Sequence, residues 1–211
     1  GSKVATPGQV KTAAFTCFGV GAVLGIILCA TSNWWLLVAG AASLIGAWFY
    51  TGGKKPYGYR ALGEVSVFLF FGLVAVLGTT YVQAETLSWT AIAGAISVGS
   101  IACALLVANN LRDIPTDTAT GKRTLAVVLG APRSRQLYAA LIALAFVLAV
   151  ASALATPWTL LALIALPLAI RAVRVVISDA VGPALIPVLK DTGLTELLYA
   201  LGLAVGLALG G

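Results

Sequence analysis

Seven long apolar runs leave this chain few ways to fold. They lie at about 12–31, 34–50, 65–84, 88–108, 136–155, 157–176 and 192–210. A helix needs about 20 apolar residues to cross a bilayer, and all the runs but the short second come close to that length. None shows the ten-residue alternation of a membrane β-barrel. A helix satisfies its own backbone hydrogen bonds in lipid, where water cannot. The sequence therefore predicts an all-α, polytopic transmembrane helical bundle, one domain over residues 1–211. A mean hydropathy of +1.03 with 9% charged residues excludes an ordinary soluble domain.

Within the runs, stretches such as "FGVGAVLG" and "AGAASLIGAW" are rich in the chain's 23 glycines. Small residues let helices approach closely in lipid, so these are read as packing positions. Cys17, Cys29 and Cys103 all fall in apolar spans without metal-ligand spacing, and are expected to be small buried hydrophobes. The absence of histidine excludes histidine-based catalysis in this chain.

The charges are sorted by side. Lys3 and Lys11 precede the first span; Lys54, Lys55 and Arg60 lie between the second and third; Arg112, Lys122, Arg123, Arg133 and Arg135 lie between the fourth and fifth; Arg171, Arg174 and Lys190 lie between the sixth and seventh. These are all thirteen basic residues, and the alternate connections "TSN", "QAETL" and "TPW" carry none. The positive-inside rule places the basic loops in the cytoplasm and the C-terminus outside. The +6 net charge thus signals topology and contact with anionic lipid, and no nucleic-acid partner is expected.

Orientation does not require the acids and amides of "VANNLRDIPTDTATGKRTLAVVLG", residues 107–130. Asn109, Asn110, Asp113 and Asp117 have the spacing N-N-x-x-D-x-x-x-D, and on a helix 109, 113 and 117 share one face. Pro115 is expected to bend or end that helix, leaving Asp117 on a loop. Carboxylates and amides are hard oxygen ligands suited to Mg²⁺, an ion usually shared with a substrate phosphate. Arg112, Lys122 and Arg123 stand within ten residues of the acids, as a diphosphate would require. A solvated helix end with a few ion pairs is the alternative, although acids near membrane depth are costly and tend to be functional.

The second polar loop is "YTGGKKPYGYRALGE", residues 50–64. Lys54 and Arg60 could hold another part of a phosphate. Tyr57 and Tyr59 could line an aromatic pocket or sit in the interfacial belt. Glu64, the lone acid of this loop, is expected to form a local ion pair.

Together the two loops carry a resemblance. "NNLRDIPTDTATGKRTLAVVLG" resembles the second aspartate-rich motif of the UbiA superfamily of intramembrane prenyltransferases, and "YTGGKKPYGYRALGE" resembles a cytoplasmic loop of the same family. The pairing is most similar to the branch that prenylates 1,4-dihydroxy-2-naphthoate in menaquinone synthesis. The resemblance implies a multi-pass protein of the plasma (inner) membrane with its active site facing the cytoplasm. It implies that a Mg²⁺-bound polyprenyl diphosphate ionises to an allylic cation, which the naphthoate ring attacks with loss of carboxylate and a proton, leading to demethylmenaquinone. By motif match, Asn110, Asp113 and Asp117 would bind the metal, with Asn109 beside them. Lys54, Arg112 and Lys122 would contact the diphosphate, with Arg123 also on the substrate. Tyr50 matches the tyrosine of the family's Y-T-x-x-K pattern, while Tyr57 and Arg60 would border the acceptor.

The family has nine spans and two aspartate-rich motifs, and the first motif is not found here. The opening "GSKVATPGQVKTAAF" looks like the segment just after it. The chain is thus expected to correspond to the last seven helices, with half of the metal site missing. Other acceptors, such as hydroxybenzoate, homogentisate or a chlorophyllide-like ring, are alternatives within the family. A transporter would show inverted repeats and polar residues at mid-membrane, and neither is apparent.

Overall fold

The computed structural model describes residues 5–210, so Lys3 lies outside the described residues. The chain forms two compact units that divide between Trp48 and Phe49.

The first unit holds α1, Pro7–Thr31, and most of α2, Leu36–Thr51. Thr6 and Gln9 build a capping box at the start of α1. The Gln9 N–H donates to Thr6 Oγ1 at 3.3 Å, and the Thr6 N–H donates to Gln9 Oε1 at 2.8 Å. Pro7 follows the cap, where its missing N–H costs nothing. Cys17 is exposed on α1, contrary to the expectation of burial, whereas Cys29 and Cys103 are buried. An apolar thiol on an outward helix face meets lipid as readily as it would meet a protein core.

The second unit carries five further helical spans: α3, Gly63–Ala84; α4, Trp89–Ala119; α5, Leu125–Ser152; α6, Pro157–Ile177; and α7, Gly182–Gly210. Six helices among the described residues are long and apolar enough to cross a membrane, and α2 is a shorter apolar helix. The chain is therefore a polytopic helical membrane protein, with its elements close to the seven apolar runs.

Three of these helices are irregular. The middle of α3, Phe68–Leu77, is wound as a π-helix, and Gly72 lies there against α4. A Cβ on Gly72 would stand 2.7 Å from Gly99 Cα, so only glycine permits this approach. In α5, Gly130 adopts φ 75° and breaks the helix ahead of Pro132. Arg133 and Arg135 consequently lie in helix rather than in a loop. The first part of α6, Pro157–Ala165, is a 3₁₀ helix packed on α7. There a Cβ on Gly206 would come 2.2 Å from the Trp158 carbonyl oxygen.

The core is built from α4, α5, α6 and α7 around Ile101, Val107, Tyr138, Val176 and Tyr199. Its polar groups are paired, as a water-free interior requires. The Tyr138 and Thr192 hydroxyls share a 2.7 Å hydrogen bond, and the Tyr199 hydroxyl donates to the Ala145 carbonyl at 2.9 Å. Arg135, only 7% exposed, donates to the carbonyls of Val176 and Ala180. That contact brings the start of α5 and the end of α6 to the same end of the bundle.

Candidate active site

Helix α4 carries the acidic motif beyond the membrane core. Its 31 residues span roughly 46 Å at about 1.5 Å per residue, against a hydrocarbon core of about 30 Å. Ser88 starts it by accepting the Ala91 N–H at 3.1 Å. About twenty residues later the apolar stretch ends, and Asn109 begins the polar segment.

Pro115 does not stop this helix, which continues to Ala119. Proline removes one N–H, and nearby hydroxyls serve carbonyls around it. Thr116 Oγ1 donates to the Asp113 carbonyl at 2.9 Å, and Thr120 Oγ1 to the Thr116 carbonyl at 3.0 Å. Asp117 therefore sits on the helix, not on a loop, and it is buried. The inward stripe passes through Asn110 and Asp117, while Asn109 and Asp113 are half-buried beside it.

Each carboxylate is held by a neighbouring cation. Arg112 forks onto Asp113, with Nε to Oδ1 at 2.7 Å and Nη2 to Oδ2 at 2.8 Å, and Nη2 also donates to Asn109 Oδ1 at 2.9 Å. Lys122 Nζ stands 3.3 Å from Asp117 Oδ1, and Thr124 Oγ1 donates to Asp117 Oδ2 at 3.4 Å. Gly121, at φ 73°, makes the turn that brings Lys122 back to Asp117.

The tyrosine loop joins the same cluster. The Ala61 N–H donates to the Arg123 carbonyl at 2.8 Å, and the Arg123 N–H to the Tyr59 carbonyl at 3.2 Å. This short bridge places Lys122 Nζ 5.4 Å over the Tyr59 ring. Tyr50 and Tyr57 meet edge to face at 5.5 Å, and the Tyr57 hydroxyl pairs with Ser66 Oγ at 2.9 Å. Gly58 is buried against Tyr50, where a Cβ would lie 2.7 Å from the Tyr50 carbonyl oxygen.

Glu64 forms no ion pair among the described residues, contrary to expectation. It is buried at the start of α3, where its Oε1 accepts from Asn110 Nδ2 at 3.0 Å and its Oε2 has no hydrogen-bond partner. It is the site residue that sequence reasoning missed. The available signal was an acid at the mouth of an apolar run, where burial demands a partner far away in the chain.

Not every expected residue converges. Lys54, Arg60 and Arg123 are exposed, and none of them enters the ion pairs among the described residues. No group of three or more acidic, cysteine or histidine side chains that could hold a metal stands together among the described residues. The motif supplies hard oxygen donors from Asp113, Asp117 and Asn110. A Mg²⁺ shared with a diphosphate needs only one or two carboxylates, so this donor set fits such an ion.

The Asn/Asp motif at the end of α4 is thus bridged to a basic tyrosine loop. The chain belongs to the UbiA prenyltransferase family, which it matches over residues 2–184. It is 53% identical over 210 residues to the 1,4-dihydroxy-2-naphthoate octaprenyltransferase of Mycobacterium tuberculosis, covering 100% of this chain and 72% of that protein. The enzyme of the same name from Mycobacterium leprae is 50% identical over 211 residues, again with 72% of its length covered. That of Escherichia coli is 41% identical over 174 residues, which are 79% of this chain and 56% of the relative. No solved structure matches the chain.

Proposed function

We propose that this protein transfers a polyprenyl group from its diphosphate to 1,4-dihydroxy-2-naphthoate, in the plasma membrane and at the cytoplasmic face. The observation that carries the reading is the bridge between Tyr59–Ala61 and Arg123, which puts the tyrosine loop against the Asp113/Asp117 motif. The names of the 53% and 50% identical relatives support the acceptor.

The chemistry breaks the allylic carbon–oxygen bond, and diphosphate leaves with the electron pair. The ring carbon bearing the carboxylate attacks the cation, and carbon dioxide departs, leaving its bonding pair to restore aromaticity. Asp113, Asp117 and Asn110 would hold Mg²⁺, which supplies charge neutralisation for the leaving diphosphate. Arg112 and Lys122 are already beside the carboxylates and can turn toward diphosphate oxygens when these arrive, with Arg123 close by. Lys54, exposed on the neighbouring loop, would contact the same anion. Tyr50 and Tyr57, packed on each other, would border the acceptor, with Arg60 near its carboxylate. The surrounding apolar helices keep the prenyl tail, and the cation derived from it, away from water.

Acceptor kinetics test this reading. Arg60→Ala is expected to raise the naphthoate KM more than it lowers kcat, because a contact made equally in ground and transition states changes binding alone. Lys54→Ala is expected to slow turnover with any acceptor. If Arg60→Ala left the naphthoate KM untouched and the parent prenylated hydroxybenzoate equally well, the acceptor assignment would be wrong.

A further inference from the structure

Glu64 is 7% exposed and makes no ion pair among the described residues, and one of its carboxylate oxygens has no hydrogen-bond partner. Burying such a group costs stability. A position selected for packing alone would carry an apolar side chain.

The placement of Glu64 is set from both sides. The Cys103 thiol donates to the Glu64 backbone carbonyl at 3.0 Å. A Cβ on the preceding Gly63 would stand 3.2 Å from the Tyr50 hydroxyl and 3.4 Å from Leu106 Cδ2, so the first turn of α3 lies flush on α4. Cys103, Asn110 and Asp117 recur every seven residues, and all three are buried on one stripe of α4. Glu64 therefore docks on the stripe that carries the acidic motif.

We infer that Glu64 is a positioning residue, one that orients the Asn110 amide for metal binding. This rests on the Mg²⁺ reading above. Glu64 Oε1 accepts from Asn110 Nδ2 at 3.0 Å, so the amide turns its nitrogen to Glu64. A metal ion takes only the amide oxygen. With the nitrogen committed to Glu64, Oδ1 points away from it as the ligating atom. Because Glu64 begins α3, directly after the tyrosine loop, the orientation of the ligand is tied to the seating of that loop. Outer partners of metal ligands act in this way.

The test uses Mn²⁺ as a paramagnetic probe, titrated by EPR into the purified protein in nanodiscs with inorganic diphosphate present. Two variants without an acceptor, Glu64→Met and Glu64→Ala, guard against a folding defect in either, and size-exclusion profiles identify the folded ones. Either is expected to raise the Mn²⁺ Kd by about tenfold or more. Glu64→Gln keeps an oxygen for the Asn110 amide and is expected to retain most of the affinity. Asn110→Ala is expected to weaken binding similarly, and adding Glu64→Met to it should cost nothing further. Unchanged affinity in the folded Glu64 variants, or an equal loss from Glu64→Met with and without Asn110, overturns the positioning role while leaving the metal reading standing. Failure of the parent to take up Mn²⁺ overturns both.

Discussion

Arg60 and Arg123 are paired through the backbone in an isolated parallel bridge. They are far apart in sequence and both side chains are exposed, yet hydrogen bonds of 2.8 and 3.2 Å run across the bridge between Ala61 and Arg123 and between Arg123 and Tyr59. The bridge makes one surface of two loops. Without it Lys122 would still reach Asp117 through its own turn, but Tyr59 would not lie beneath the ammonium.

Asp113→Ala and Asp117→Asn are each expected to lower turnover by about 100-fold or more, since each removes charge aimed at the transition state. Helical circular dichroism should stay at the parent level, because these groups are balanced by local cations rather than by the core. Single-turnover prenyl transfer measures the loss, and near-normal rates in either variant would sink the site assignment.

Glycine positions should separate sharply. Gly206→Ala forces a methyl to 2.2 Å from the Trp158 carbonyl oxygen, whereas a Cβ at Gly78 meets nothing within 4 Å. Thermal melts in detergent should show Gly206→Ala destabilised by about 1–3 kcal/mol, the usual range for overpacking. Gly78→Ala should melt with the parent. Equal melting temperatures for both would mean that α6 and α7 do not pack as described.

Arg135 ends α6 by donating to the carbonyls of Val176 and Ala180, with Asp179 Oδ1 3.4 Å from its Nε. Arg135→Met leaves those two carbonyls without this donor, at about 1–3 kcal/mol for each buried group left unsatisfied. Arg135→Lys cannot serve both with one fork and should fall between Met and the parent. The melting order of the three proteins checks this, and a lysine variant as stable as the parent would contradict it.

Impermeant maleimide labelling tests the sidedness of the charges. In a background lacking the native cysteines, single cysteines at Lys55, Arg133 and Lys190 should react from one side of the membrane and one at Glu85 from the other. All four positions are exposed. Labelling of position 55 from the outer side would overturn the topology.

Helix number and approximate length follow from the sequence by itself, because the bilayer sets how long an apolar run must be whatever it packs against. The sorting of the basic residues onto alternate connections and the presence of an Asn/Asp motif at a helix end are legible for a similar reason, since each is a property of local order along the chain. Helix ends were less legible: Pro115 reads as a stop, but Thr116 and Thr120 serve carbonyls beside it and α4 runs on to Ala119. Glu64 reads as half of a local ion pair, and its actual partner could not be read. Its partner is Asn110 on another helix, and no periodicity in either segment encodes which residues arrive at the same depth. Only the tertiary structure decided that pairing, because the seating of Gly63 and Cys103 brings the two polar groups together where water cannot reach to satisfy them separately.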